Sequence, residues 1–500
     1  MPVAAAPPPI KEGPSNSDPP PTSGFPKHEG ASVSYWLRGV QGDPLLRHRT
    51  TPQVPRKADI VIIGSGVSGT VTAKHCIERW PEKAIVVLEA RDFCSGATGR
   101  NAGHCKPDQW RGFPNYQQAF GTEQALKIME NEQRTWSNIV QYVRENNVDC
   151  DLFVGDTYDV PVTTEAAETS QRTYDALKAV GGELQHVRVI SDPAEAEKTT
   201  SIKGALACYA WKASTLYPWK LMAHIMRHNI SKGVNLQSNT KAAEVSKDPN
   251  NEDMWTVKTE RGDITCSWVV HATNAYSSAI ESSMYNIIRP QPHICDAFDP
   301  PPEFLRNNAA QHSFGILCGK GVFYSINPRS PAAGPVLFGG SNPGQIELGK
   351  WLQKHPERCT DDGLLGFEPV TDAAKSFAAN HLMGWSQKVE GENSPHRESW
   401  SGIIAMVSEH EQRVHNQLLI PLQTPDGMPL IGEIPGKRGQ FICAGHNGHG
   451  MATAFTAAPG LVNLMDGKSW AATQLPEAFE LTPSRMDKLR QQAANRKPKL

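Results

Sequence analysis

The segment Gly64-Ser65-Gly66-Val67-Ser68-Gly69 leaves the chain few choices of fold. It follows an apolar run at 58–63, opens a helical pattern that lasts to Trp80, and is followed by a second apolar run at 84–89. Strand, helix and strand within about 30 residues make a parallel β-α-β unit. In such a unit Gly64 permits the tight turn, Gly66 lets backbone approach a pyrophosphate, and Gly69 lets the helix pack on the sheet. Ser65, Val67 and Ser68 complete a turn whose helix N-terminus presents N–H donors and a partial positive charge. Glu89 stands twenty residues past Gly69, where a carboxylate accepts from both ribose hydroxyls and repels a 2′-phosphate. Residues 58–91 therefore bind the ADP half of a dinucleotide, and NADP is disfavoured.

The rest of the chain narrows its class. Lys plus Arg number 50 against 52 Asp plus Glu, with no long basic block, so no nucleic-acid footprint is expected. Ten cysteines are scattered singly, without a C-x-x-C pair or zinc-type His spacing, which points to reduced thiols and no metal site. No apolar run approaches the roughly 20 residues needed to cross a bilayer, and no signal peptide opens the chain. A cytoplasmic protein without a membrane anchor is expected. Residues 1–30 are rich in Pro, Ala and Ser and read as a disordered tail. Residues 31–57 read as an arm anchored by Tyr35, Trp36 and Leu37, and 476–500 as a polar C-terminal tail. Helical patterns cover 122–146, 217–232 and 451–465. Strands are expected at 235–238, 255–259, 268–272, 321–326, 336–339 and 440–443.

A second glycine-rich run, Ala97-Thr98-Gly99-Arg100-Asn101-Ala102-Gly103-His104, follows the second strand after a short loop. It suits a loop that wraps a ribityl chain and pyrophosphate from the other side. Here the chain resembles the FAD-dependent amine and D-amino-acid oxidase (DAO) family, with its glycine, sarcosine and γ-glutamylputrescine oxidase members. The likeness runs over about residues 56–470. It continues in Leu216-Tyr217-Pro218-Trp219, Val269-Val270-His271-Ala272-Thr273-Asn274-Ala275-Tyr276, Trp400-Ser401-Gly402-Ile403, Asp426-Gly427-Met428-Pro429 and Gly445-His446-Asn447-Gly448-His449-Gly450-Met451.

The resemblance implies an α/β fold: a discontinuous Rossmann-like FAD-binding domain (58–115, 215–285 and 400–470) with an inserted mixed-sheet α+β substrate domain (116–214 and 286–399). It implies cofactor contacts from Glu89-Ala90-Arg91, from the 98–103 loop, from Val245 near the adenine, from Ala272, and from the 445–451 turn. The implied reaction is oxidation of a small-molecule amine at its C–N bond, with oxygen or another electron acceptor. A flavin dehydrogenase of a different substrate, or an FAD-binding scaffold without turnover, remain the alternatives. His104, His446 and His449 are candidates for a base, a covalent flavin link or a polar wall, and Tyr324 for a pocket wall.

Departures from the family pattern matter as much. Ile404 and Ala452 stand where relatives place an Arg or Lys that clamps the substrate carboxylate. A simple α-amino acid is therefore not the expected substrate. Leu337 stands where sarcosine oxidases place an oxygen-activating Lys. Arg111, Arg289 and Lys320 are the remaining candidate anchors. Pro498-Lys499-Leu500 resembles a peroxisomal signal with its first residue changed, so the peroxisome stands beside the cytoplasm as an expected location.

Overall fold

The strand Lys57–Ile63 is apolar on both faces, and in the computed structural model it lies at the centre of a sheet. The structure describes residues 24–27, 29–306, 308–329, 334–385, 396–406 and 426–494. Lys57–Ile63 pairs in parallel with Ile85–Leu88 on one side and Ile264–His271 on the other. Asn235–Gln237 and Gln440–Ala444 extend the parallel sheet at its two ends, and Leu430–Glu433 adds an antiparallel strand. Ile60 and Ile62 face helices Val67–Arg79, Pro218–Ser231 and Gly450–Met465. Val61 and Ile63 face the other way, under the meander Ala242–Asp248 and Asn251–Thr259. Burial on both faces explains why these strands read as unbroken apolar runs.

The second sheet has nine strands and is mixed. Its order runs His396–Met406, Arg289–Phe298, Val336–Gly339, Val322–Pro328, Ser313–Gly319, Phe153–Pro161, Cys208–Thr215 and His104–Cys105, with Arg188–Ile190 beside Cys208–Thr215. Only the Ser313–Gly319 and Phe153–Pro161 pair is parallel among these described strands. One face, with Phe314, Ile316, Tyr324 and Ile326, packs on Ala374 and Phe377 of helix Glu368–His381. The other, with Leu317, Phe323 and Leu337, joins the large core shared with the first sheet's helices. The expected α/β architecture with a mixed second sheet is what the structure contains.

Several boundaries differ from the sequence reading. His396–Met406 belongs to the second sheet, so the chain returns to the first sheet after this strand and not at residue 400. The helix expected from 122 begins at Phe113 and is interrupted at Gly121, whose φ of +82° breaks the helical path. The N-terminal tail packs sooner than its composition suggested: Lys27 pairs with Asp361 at 2.8 Å and Lys241 lies over the Phe25 ring. The C-terminal tail is docked too. Helix Pro483–Ala494 buries Met486 and Leu489, and Arg485 holds Asp426 at 2.8 Å. Two apolar residues a helical turn apart sufficed to seat a helix that its overall polarity disguised. Among the described residues no helix is long and apolar enough to cross a membrane, and residues 498–500 lie outside them.

Candidate cofactor and substrate site

The dinucleotide turn is built by exclusion of side chains. Gly64 has φ of +108°, and a Cβ there would lie 2.6 Å from the Ala272 carbonyl oxygen. A Cβ on Gly69 would lie 1.9 Å from the Gly64 carbonyl oxygen, and one on Gly66 3.1 Å from Thr98 Oγ1. Thr98 Oγ1 accepts from Val67 N at 3.0 Å, so the second glycine-rich loop is seated directly on the first helix turn. Glu89 is held from both sides: Ser65 Oγ donates at 2.7 Å to one oxygen and Arg91 N at 3.0 Å to the other. Ala90 lies half-buried between them. The segment beside Glu89 is Thr240, whose N donates to the Glu89 carbonyl at 2.7 Å. Val245, five residues on, pairs with Val257 in the meander.

The 97–104 loop wraps the same place. Asn101 closes it by donating to Thr98 O and accepting from Gly103 N at 2.7 Å, while Ala102 O accepts from Asn327 Nδ2. Gly103 lies against Trp36, whose Nε1 donates to Asn101 O. Arg91 and Arg100 converge on fully buried Asp362, at 2.7 and 3.4 Å. Burial pulls the Arg100 pKa down while Asp362 opposes it. Neither Asp362 nor Trp36 carries a sequence motif, and the pairing spans 271 positions in the chain, so sequence reasoning had no signal for it.

These residues fit FAD. A bare backbone turn at a helix N-terminus is what a diphosphate requires. Tyr276 Oη and Ser95 Oγ are buried beside the cluster without hydrogen-bond partners, ready to meet a polar cofactor.

The 445–451 turn closes over the same helix start. Gly445, Asn447 and Gly448 all have positive φ, and Gly445 N and His446 N both donate to Asn274 Oδ1. Asn447 Nδ2 donates to the Gly427 and Gly445 carbonyls. Gly450 is 3.8 Å from Val67 Cγ1 when given a Cβ, and Met451 is buried. His446 bridges the two helices: one ring nitrogen meets Ser68 Oγ and the other Thr453 Oγ1, each at 2.9 Å. Burial lowers its pKa to about 4, so it is a neutral strut. His449 Nδ1 lies 3.5 Å from Glu132 Oε1. Burial opposes its charge, but Glu132 and then Asp108 outweigh this and raise its pKa above the ordinary 6.5. A cavity of about 30 Å³ adjoins it, lined by Tyr116, Glu132, His446, Asn447 and His449 among others.

Opposite, the second sheet presents polar groups. His104 Nε2 meets Ser325 Oγ at 2.7 Å, and its Nδ1 has no hydrogen bond. Burial, then Lys106 and Arg329, lowers its pKa to about 3. Lys106 donates to buried Asp159 at 2.7 Å, with Arg111 close by. Tyr324 is not among them. It points to the far face, stacked on Phe377 at 4.2 Å with its hydroxyl near Ala373 O. Lys320 is exposed in a hairpin turn, whereas Leu337 is fully buried.

The depressed histidines have a stability consequence. Below pH 6.5 the unfolded chain protonates His104 and His446 while the folded chain does not, so the unfolded state binds more protons. Stability is expected to fall as pH drops from 6.5 toward 4, each histidine adding a slope of up to about 1.4 kcal/mol per pH unit. Urea unfolding across that range checks it, with His446→Gln expected to flatten the dependence.

Comparison with known proteins agrees with this geometry. Residues 59–464 match the family model described as DAO, FAD dependent oxidoreductase. Glycine oxidase from Geobacillus kaustophilus has a TM-score of 0.62 at 18% identity, over 86% of this chain and 99% of that one. L-proline dehydrogenase from P. horikoshii has a TM-score of 0.62 at 18% identity, over 87% and 99%. Iminodiacetate oxidase from Chelativorans sp. BNC1 has 0.59 at 14%, over 82% and 96%. None of the curated proteins compared matches significantly. With its dinucleotide turn, flavin-type loop and helix-opening turn assembled around one place, the chain belongs to the DAO family of FAD-dependent oxidoreductases.

Proposed function

We propose that this chain oxidises the C–N bond of a small-molecule amine, with oxygen as electron acceptor. FAD, held by the Gly64–Gly69 turn, Glu89 and the 98–103 loop, would supply a hydride acceptor at flavin N5 for oxidation of that bond to an imine, which water hydrolyses. The observation that carries the reading is the polar lining between the 445–451 turn and the second sheet: His104 with Ser325, Lys106 with Asp159, and His449 with Glu132. His104 Nδ1 is buried there without a hydrogen bond, a cost that a bound polar substrate would offset.

Each group has a task in this reading. His104, neutral by its low pKa, is a polar wall that offers a ring nitrogen to the substrate. His446 positions the turn against Ser68. Helix Gly450–Met465 begins at the turn, so its N-terminal end, with His449 whose charged form Glu132 favours, supplies positive potential where reduction adds negative charge. The Gly64–Gly69 turn, Glu89, Ala272 and the 98–103 loop hold the nucleotide and ribityl parts. Replacing Glu132 by Gln removes the group that raises the His449 pKa. The high-pH limb of anaerobic flavin reduction is then expected to move to lower pH, which a stopped-flow pH profile reads.

The buried Leu337, which brings no ammonium from its strand, supports a second reading in which a carrier other than oxygen takes the electrons. Flavin reduced anaerobically by an amine and then exposed to oxygen separates the acceptors. Rapid return of colour with peroxide supports the oxidase, and persistent bleaching supports the carrier.

A further inference from the structure

Before the first sheet begins, the chain passes across the residues assigned to the nucleotide. Its root is fixed: Ser34 Oγ donates to Gly99 O, Trp36 Nε1 donates to Asn101 O, and both side chains are fully buried. Ser32 comes next, its N donating to Asp362 O and its Oγ accepting from Arg100 Nη1 at 3.0 Å. Beyond Ser32 the hold becomes shallow. Glu29 and Gly30 are exposed, Gly30 has φ of +75°, and residues 24–27 form no helix or strand.

This shallow tip reaches both flanks of Glu89. On one side Arg91 Nη1 donates to Lys27 O at 3.2 Å, while Arg91 N donates to the Glu89 carboxylate. On the other side Thr240 N donates to Glu89 O, and the next residue, Lys241, lies over the Phe25 ring at 5.3 Å from its centre. The tip is tied to the segment that also receives Arg91 and Arg100 at Asp362: Lys27 pairs with Asp361 at 2.8 Å, and Gly24 lies against Thr360. Lys27 is 43% exposed, and ion pairs open to water hold weakly. A segment with a buried root, few apolar contacts and an exposed glycine joint opens locally well before the fold does.

We infer that residues 24–27 and 29–32 form a strap over the nucleotide end of the FAD site, which must lift for the cofactor to enter or leave. The inference rests on FAD being held by Glu89 and the 98–103 loop, and it is independent of which substrate is oxidised. Lifting the strap as far as Ser32 also releases a hydrogen bond to Arg100, within that loop, so strap and loop loosen together.

Gly24→Cys combined with Thr360→Cys tests this in the holoprotein. A Cβ on Gly24 would lie 3.9 Å from Thr360 Cβ, close to the roughly 3.8 Å that a disulfide spans. FAD release is followed by the rise of flavin fluorescence after dilution, in oxidised and reduced samples of the same protein, with wild type treated alike. Thiol titration confirms the crosslink. Oxidation is expected to slow release by about tenfold or more in the double variant and to leave wild type unchanged. Equal release from the crosslinked and reduced forms overturns the strap. Phe25→Ala combined with Lys27→Ala removes the side-chain contacts of the tip, and it decides the matter if the crosslink does not form. Release is then expected to be about threefold faster than in wild type. An unchanged rate in that variant overturns the proposal.

Discussion

Gly69→Ala is expected to yield protein that no longer retains FAD. The added methyl would lie 1.9 Å from the Gly64 carbonyl oxygen, well inside contact distance, and the clash is with backbone. Relief requires the Val67–Arg79 helix to lift from the Lys57–Ile63 strand, which would undo the turn that faces the diphosphate. Overpacking of this kind costs about 3 kcal/mol or more. FAD-to-protein ratio after gel filtration and the thermal unfolding midpoint both report it. Gly349→Ala is the control: its Cβ would meet only Gln291 Nε2 at 3.9 Å, within helix Pro343–Lys354. Alanine there is expected to be neutral or to stabilise by up to about 1 kcal/mol. FAD retained at full occupancy by Gly69→Ala would refute the assignment of this turn.

The second large effect is expected at Asp362. The Arg91 and Arg100 side chains are 8% and 4% exposed, and fully buried Asp362 is the carboxylate on which both converge. Removing one partner of a buried ionic group leaves the others uncompensated and costs about 3–5 kcal/mol. Asp362→Ala should therefore be among the most destabilising single changes in the chain, and Asp362→Asn milder because its amide oxygen still accepts. The N-terminal arm should loosen with it, since Ser32 N donates to Asp362 O and Ser32 Oγ accepts from Arg100. Urea denaturation gives the energy, and limited proteolysis near residue 30 reads the arm. Unchanged stability would mean that the cluster does not couple the two domains.

The β-α-β unit and its glycine turn were legible because their demands are local. Gly64, Gly66, Gly69 and Glu89 lie within one β-α-β unit, and each is fixed by backbone geometry that leaves a mark on residue type. The substrate side was not. Tyr324 was expected at the pocket, but strand residues alternate, and its neighbours Phe323 and Ser325 face the site while Tyr324 faces Phe377. Both faces of Val322–Pro328 pack against other elements, so the alternation gives no sign of which face is which. Asp362 gains its role only from contacts with Arg91 and Arg100 that close in the folded chain.

Amine oxidation at this flavin site is tested most directly by an anaerobic single turnover. Purified holoprotein is mixed with a panel of primary and secondary amines, and both flavin absorbance and carbonyl product are measured. Bleaching is expected with at least one amine, with one carbonyl formed per flavin reduced. Flavin that stays oxidised with every amine, or that bleaches with hydroxy acids and not with amines, would contradict amine oxidation.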